Sequence, residues 1–203
     1  MHILVDALAE ADTETALATL LERVRARDAA PPSFLAVHAS ARHDPAAVQR
    51  AARTAGVETL HGGTSCLGVM AGGRLFAEAG FGIFALWDEA GGYGSAAASG
   101  PDGRAVGREA ARGALAAAGR PGEAPDLVWL TAAPGTEEAV LAGIEDVVGA
   151  STPILGGSAA DDTIAGGWAA YDARAVEPGG VVVSALFPSR PVSWAYSSGY
   201  VPA

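Results

Sequence analysis

The chain has 203 residues, half of them hydrophobic, which is enough to bury one sizeable core or two small ones. Its 13 basic residues are all arginine and face 23 acidic ones, so the net charge of −10 leaves no basic stripe to neutralise phosphates, and nucleic acid is not an expected partner. The single cysteine, Cys66, rules out an intrachain disulfide and a multi-cysteine zinc site, and it suits a reducing, cytoplasmic setting.

Met1-His-Ile-Leu-Val-Asp6 puts an acid where an export signal needs a positive charge and then a longer apolar run, so no leader is readable. Thr13 to Val24 carries Leu17, Leu20, Leu21 and Val24 at i, i+3, i+4, i+7, the stripe of an amphipathic helix with Asp12 as N-cap. Pro31-Pro32 ends that segment, and Ser33 to Ala39 reads as a strand. Asp44-Pro45 opens a second helix, with Pro in the first turn where its missing N–H costs nothing; Gly56 stops it. Val57 to His61 is a strand that leads into a glycine loop, Gly62-Gly63-Thr64-Ser65-Cys66. The apolar run Leu75 to Trp87 and then Tyr93 to Ser99 follow as further strands. The most apolar stretches, Phe81 to Trp87 and Val181 to Phe187, fall far short of the roughly 20 residues of a membrane-spanning helix, so no membrane partner is expected.

From Val106 the order starts again. An alanine-rich helix runs to Ala118, Leu127 to Ala132 answers the first strand, and Thr136 to Val148 answers the second helix. Pro153 to Leu155 leads into Gly156-Gly157-Ser158-Ala159-Ala160, and Gly179 to Phe187 with Val192 to Ser197 answers the last two strands. The expected fold is α/β: two αβαβββ repeats, about 12–100 and 103–203, forming mixed β-sheets flanked by helices and duplicated about a pseudo-twofold axis. Equivalent loops then meet near the axis, so Thr64-Ser65-Cys66 is expected to face Ser158-Ala159-Ala160 across a shared cleft.

Glycines after a strand let backbone N–H groups converge on a carboxylate, and small hydroxyls add donors. Gly63, Thr64, Ser65, Cys66, Gly157 and Ser158 are therefore candidate ligand contacts. Asp161 and Asp162 are candidates to pair with a ligand ammonium, and Trp168 to act as an apolar lid. Tight turns, a helix cap and a core tryptophan are the plainer roles for the same residues.

Enzymatic alternatives are weaker. Ser158 resembles a nucleophile elbow, but His2, His38, His43 and His61 all precede it, against the serine–acid–histidine chain order of α/β-hydrolases. Cys66 with His61 offers a thiol–imidazole pair for a small hydrolase or acyltransferase, and His38 reads as a satisfied strand histidine. Gly80-Phe-Gly82-Ile-Phe-Ala85 precedes no helix, and the absence of lysine excludes a P-loop, so no cofactor is expected. No metal site is expected either.

Gly156-Gly-Ser-Ala-Ala-Asp-Asp162, Val181-Val-Val-Ser-Ala-Leu-Phe187 and Ser198-Gly-Tyr-Val-Pro202 together resemble the N-terminal domain of FIST proteins, from about Ala18 to the end. The resemblance implies an intracellular sensory domain whose ligand is an amino acid or related metabolite, with a C-terminal FIST domain or a signalling partner for output. Where the family has a loop like Gly-Cys-Ser-Thr-Ala-Gly-Glu, this chain has Gly62-Gly-Thr-Ser-Cys-Leu-Gly68, without the acidic residue.

Overall fold

Four helices and two main sheets stack in four layers in the computed structural model, which describes residues 1–195. The first sheet holds β1 (His2–Ala9), β6 (Gly80–Trp87), β2 (Phe34–Ser40), β3 (Leu60–Ser65), β10 (Ala169–Tyr171) and β11 (Val176–Pro178), in that order. The second holds β7 (Gly92–Ala98), β12 (Val181–Phe187), β8 (Leu127–Ala132) and β9 (Ile154–Ser158). A separate hairpin is made of β4 (Gly68–Ala71) and β5 (Arg74–Ala77). Among the described residues only β2–β3 and β8–β9 pair in parallel; the other ladders are antiparallel. Both sheets are thus mixed or contribute to a mixed α/β fold, and the order β1-β6-β2-β3 matches β7-β12-β8-β9 in sequence and direction.

The helices form where the caps place them. Asp12 accepts the Thr15 N–H ahead of α1 (Thr13–Arg27), and Asp44 accepts the Ala46 N–H ahead of α2 (Pro45–Thr54). Asp102 caps α3 (Gly103–Ala117) three residues earlier than the apolar pattern indicates; α4 is Glu137–Val148. Leu17, Leu20 and Val48 pack with Val37, Phe81 and Ile83 on the outer face of the first sheet. Val106, Leu115, Val140 and Ile144 do the same with Val128 and Val183 on the second. A third cluster takes Phe34, Ala36 and Leu86 from one sheet and Tyr93, Leu127 and Leu186 from the other, so the inner faces meet. Each large apolar side chain buried there contributes on the order of 2 kcal/mol.

Several expectations change. The N-terminal residues form β1, an edge strand paired with β6. The run Leu75 to Trp87 is two strands, broken where Glu78 takes a left-handed φ of 60° and its N–H turns to the Leu67 carbonyl. β7, expected to end the first unit, pairs with β12 in the second sheet. The glycine runs are not loops: Gly62 to Ser65 lies within β3 and Gly156 to Ser158 within β9. Of the strand expected at Val192 to Ser197, residues 192–195 are not strand; the remainder, with Ser198 to Pro202, lies outside the described residues. Among the described residues no helix is long and apolar enough to cross a membrane.

Candidate functional site

β3 runs between β2 and β10, so its backbone groups are engaged by ladders on both sides. The two glycines are there for space. A Cβ on Gly62 would lie 1.9 Å from the ring of Tyr171, its cross-strand partner, and one on Gly63 would lie 2.7 Å from Thr131 Cγ2 and 3.3 Å from His38 Nδ1. Gly63 is therefore what lets His38 of one sheet and Thr131 of the other approach the same point. β9 differs: it is an edge strand, so half of its N–H and C=O groups face away from β8.

The ends of β3 and β9 lie side by side. The Ala160 N–H donates to the Thr64 carbonyl at 3.0 Å, and the Ala169 N–H donates to Thr64 Oγ1 at 3.0 Å. Between them is a cavity of about 440 Å³. Thr64 and Ser65 of β3 with Cys66 just beyond it line one side, and Gly156, Gly157 and Ser158 of β9 with Ala160 beyond it line the other. His38 and the β8 residues Trp129, Leu130 and Thr131 complete it.

Its side chains are neutral. Ser65 Oγ donates to the Gly68 carbonyl at 2.6 Å, and Ser158 Oγ donates to Glu137 Oε1 at 2.5 Å. That second bond, joined by backbone N–H donors including Gly135, holds the Glu137 carboxyl below the usual carboxylate range. His38 opens to the cavity on one side and is otherwise enclosed. Burial pushes its pKa down, against an opposing contribution from the Gly63 backbone, and its ring stacks toward Trp129 at 6.4 Å and 20°. Cys66 is exposed.

Asp161 and Asp162 line a separate hollow of about 450 Å³ beside Arg42. Asp161 accepts the N–H groups of Thr163, Ala165 and Gly167, within its own loop. Burial works to raise its pKa, but these donors outweigh it and the net shift is downward. Asp162 reaches across the molecule: Oδ2 accepts Ser40 Oγ at 2.9 Å and lies 3.5 Å from Arg42, and Oδ1 accepts the Leu67 N–H at 2.7 Å. Trp168 is half-buried just before β10, and among the described residues neither it nor Gly63 lines the cavity.

The Cys66–His61 pair does not form. His61 is fully buried, with Nδ1 2.8 Å from Ser184 Oγ and Nε2 2.9 Å from Thr131 Oγ1, so both ring nitrogens are engaged by hydroxyls. The histidine that shares the cavity with Cys66 is His38. Sequence reasoning passed over His38, Trp129 and Thr131. The available signal was strand periodicity, which puts Trp129 and Thr131 on one face of β8. Among the described residues no three His, Cys, Asp or Glu side chains gather to hold a metal ion.

No curated protein matches the sequence. Among solved structures the chain is similar to a cyanuric acid hydrolase from A. caulinodans, at 15% identity and a TM-score of 0.48, with 92% of this chain and 67% of that one covered. The FIST N domain family matches residues 33–203. That span is most of the chain, and the chain belongs to the FIST family of sensory domains.

Proposed function

We propose that the cavity between the ends of β3 and β9 binds a small polar metabolite, an amino acid or a close relative, and that its occupancy is what this sensory domain reports. The observation that carries the reading is the cavity itself, of about 440 Å³ and walled by strands from both sheets. That volume lies in the range of small-molecule sites, toward its lower end. The outward N–H groups of the β9 edge suit a carboxylate, while Ser65 and Ser158, whose protons go to Gly68 and Glu137, present lone pairs that suit an ammonium. An ammonium is oriented toward Asp161 and Asp162, which follow Ala160 directly. Their own bonds leave them to act through their field rather than by direct pairing.

Because one wall belongs to each sheet, a ligand that touches both favours one relative setting of the sheets, and a population shift follows. Output passes to a C-terminal FIST domain or a separate signalling partner, in the cytoplasm. The matching strand orders support reading the chain as two duplicated units.

A thermal-shift screen against amino acids, keto acids and dicarboxylates tests the reading. Gly157→Leu supplies the control, because a Cβ at Gly157 meets nothing within 4 Å. The variant is expected to keep its melting temperature and lose the ligand response. A ligand response that survives in Gly157→Leu would place the binding site elsewhere.

A second reading rests on Cys66, an exposed thiol in the same cavity as the neutral imidazole of His38. Thioester or ester turnover abolished by Cys66→Ala and retained in Ser158→Ala would carry it.

A further inference from the structure

We propose that Thr131 is the hydroxyl with which the cavity reads its ligand, and that Thr131 changes between donor and acceptor through the tautomer of the buried His61. The proposal rests on the cavity being the ligand site, and it names how that site fits a hydrogen-bonding ligand.

Four polar groups run in a line from the cavity wall into the seam between the sheets. Thr131 lines the cavity. Its Oγ1 is 2.9 Å from His61 Nε2; His61 Nδ1 is 2.8 Å from Ser184 Oγ, and Ser184 Oγ is 2.7 Å from Ser95 Oγ. Thr131, Ser184 and Ser95 stand on β8, β12 and β7, three adjacent strands of one sheet, and His61 reaches them from β3 of the other. His61 and Ser184 are both fully buried. Burial drives the His61 pKa well down, with the neighbouring His38 acting in the same direction, so the ring is neutral and carries one N–H and one lone pair.

A neutral ring between hydroxyls has two consistent arrangements. With the proton on Nδ1, His61 donates to Ser184, Ser184 donates to Ser95, and Thr131 donates to Nε2. Thr131 has then spent its only proton and offers a ligand lone pairs alone. With the proton on Nε2, His61 donates to Thr131, Ser95 donates to Ser184, and Ser184 donates to Nδ1. The Thr131 proton is then free for a ligand acceptor. Both arrangements make the same three internal bonds, so a single contact at the cavity decides between them. The choice also reverses the hydroxyl of Ser95, on the strand at the far edge of the second sheet.

The test is long-range proton–nitrogen NMR on protein labelled with 15N-histidine, whose four histidines keep the spectrum sparse. Thr131→Val leaves Nε2 without a partner and is expected to hold His61 with its proton on Nδ1. Ser184→Ala leaves Nδ1 without a partner and is expected to move the proton to Nε2. Thr131→Ser keeps the hydroxyl and is expected to behave as the wild type. In the wild type, acetate, which only accepts, should shift the ring toward Nε2–H; methylammonium, which only donates, should shift it toward Nδ1–H. Ser184→Ala should change the preference for acetate over methylammonium by roughly fivefold, the worth of one hydrogen bond. The same tautomer in Thr131→Val and Ser184→Ala overturns the wiring. Acetate that perturbs the Trp129 indole and leaves His61 unmoved overturns the ligand-reading role while the site stands. If neither probe perturbs Trp129 or His38, the site reading falls and the ligand-reading role with it, and the two variants still decide the wiring.

Discussion

Replacing Asp162 by Ala separates a carboxylate that holds the fold from one that holds a ligand. Asp162 accepts Ser40 Oγ at 2.9 Å and the Leu67 N–H at 2.7 Å, with Arg42 3.5 Å away. A hydrogen bond to a charged acceptor contributes about 1.5–3 kcal/mol when sheltered. Ser40 is fully buried and counts near the middle of that range. Leu67 is 60% exposed, so water takes over its N–H and the bond counts at or below the bottom. The Arg42 side chain is 58% exposed and its ion pair adds about 0–1 kcal/mol. The sum is roughly 3 kcal/mol, and a chain of this length loses about 2–4 °C in melting temperature per kcal/mol, so Asp162→Ala should melt roughly 6–12 °C lower with no ligand present. Asp162→Asn keeps one carbonyl oxygen and should lose about half as much. Differential scanning calorimetry on the ligand-free variants measures both. If Asp162→Ala melts with the wild type and loses only amino-acid binding, the bracing argument is wrong and the carboxylate serves the ligand.

Gly62→Ala should destabilise the protein by roughly 3 kcal/mol or more, read as a lower urea midpoint, because the new methyl group would sit 1.9 Å from the ring of Tyr171, itself only 2% exposed. Ile164 has a φ of 56° and is 84% exposed, so Ile164→Asn should raise stability by about 1 kcal/mol by relieving a β-branched residue of a left-handed backbone; an unchanged or lower midpoint would count against that strain. Burial depresses both His38 and His61, so the unfolded chain takes up protons first as pH falls through about 6.5, and stability present above that pH is lost below it. Urea midpoints should be flat from pH 8 to 7 and decline below about 6.5, well above the carboxylate range; a midpoint unchanged down to pH 5 would contradict neutral buried rings.

Much of the architecture could be read from short-range signals. Asp12 and Asp44 marked helix starts because a cap acts within three residues, and the valine-rich run at Val181 to Phe187 marked a strand buried on both faces. The glycine runs marked the right place for the wrong reason. Gly62 and Gly63 looked like a turn because glycine favours turns, whereas they are strand residues under Tyr171 and Thr131, side chains that stand 109 and 68 residues further along the chain. No local pattern carries that information. Asp162 looked free for the same reason: the donors that occupy it, Ser40 and the Leu67 amide, lie far from it in sequence, whereas the donors to Asp161 are in its own loop.

The polar seam explains why the cavity sits where it does. Around Phe34 the facing sheets meet through apolar side chains, but toward the ends of β3 and β8 the inner face carries His61, Ser184, Thr131 and His38. Each of these must be satisfied once buried, and His61 manages it only by sharing its two nitrogens between hydroxyls of the opposite sheet. An apolar substitution at His61 would leave Thr131 and Ser184 to find other partners, so these bonds tie the two sheets together at this end. The cavity opens at the end of that network, where Thr131 passes from the seam to the wall. Thr131 thus stands at the end of a hydrogen-bonded line that joins both sheets, so a group bonded to it from the cavity would be coupled to both.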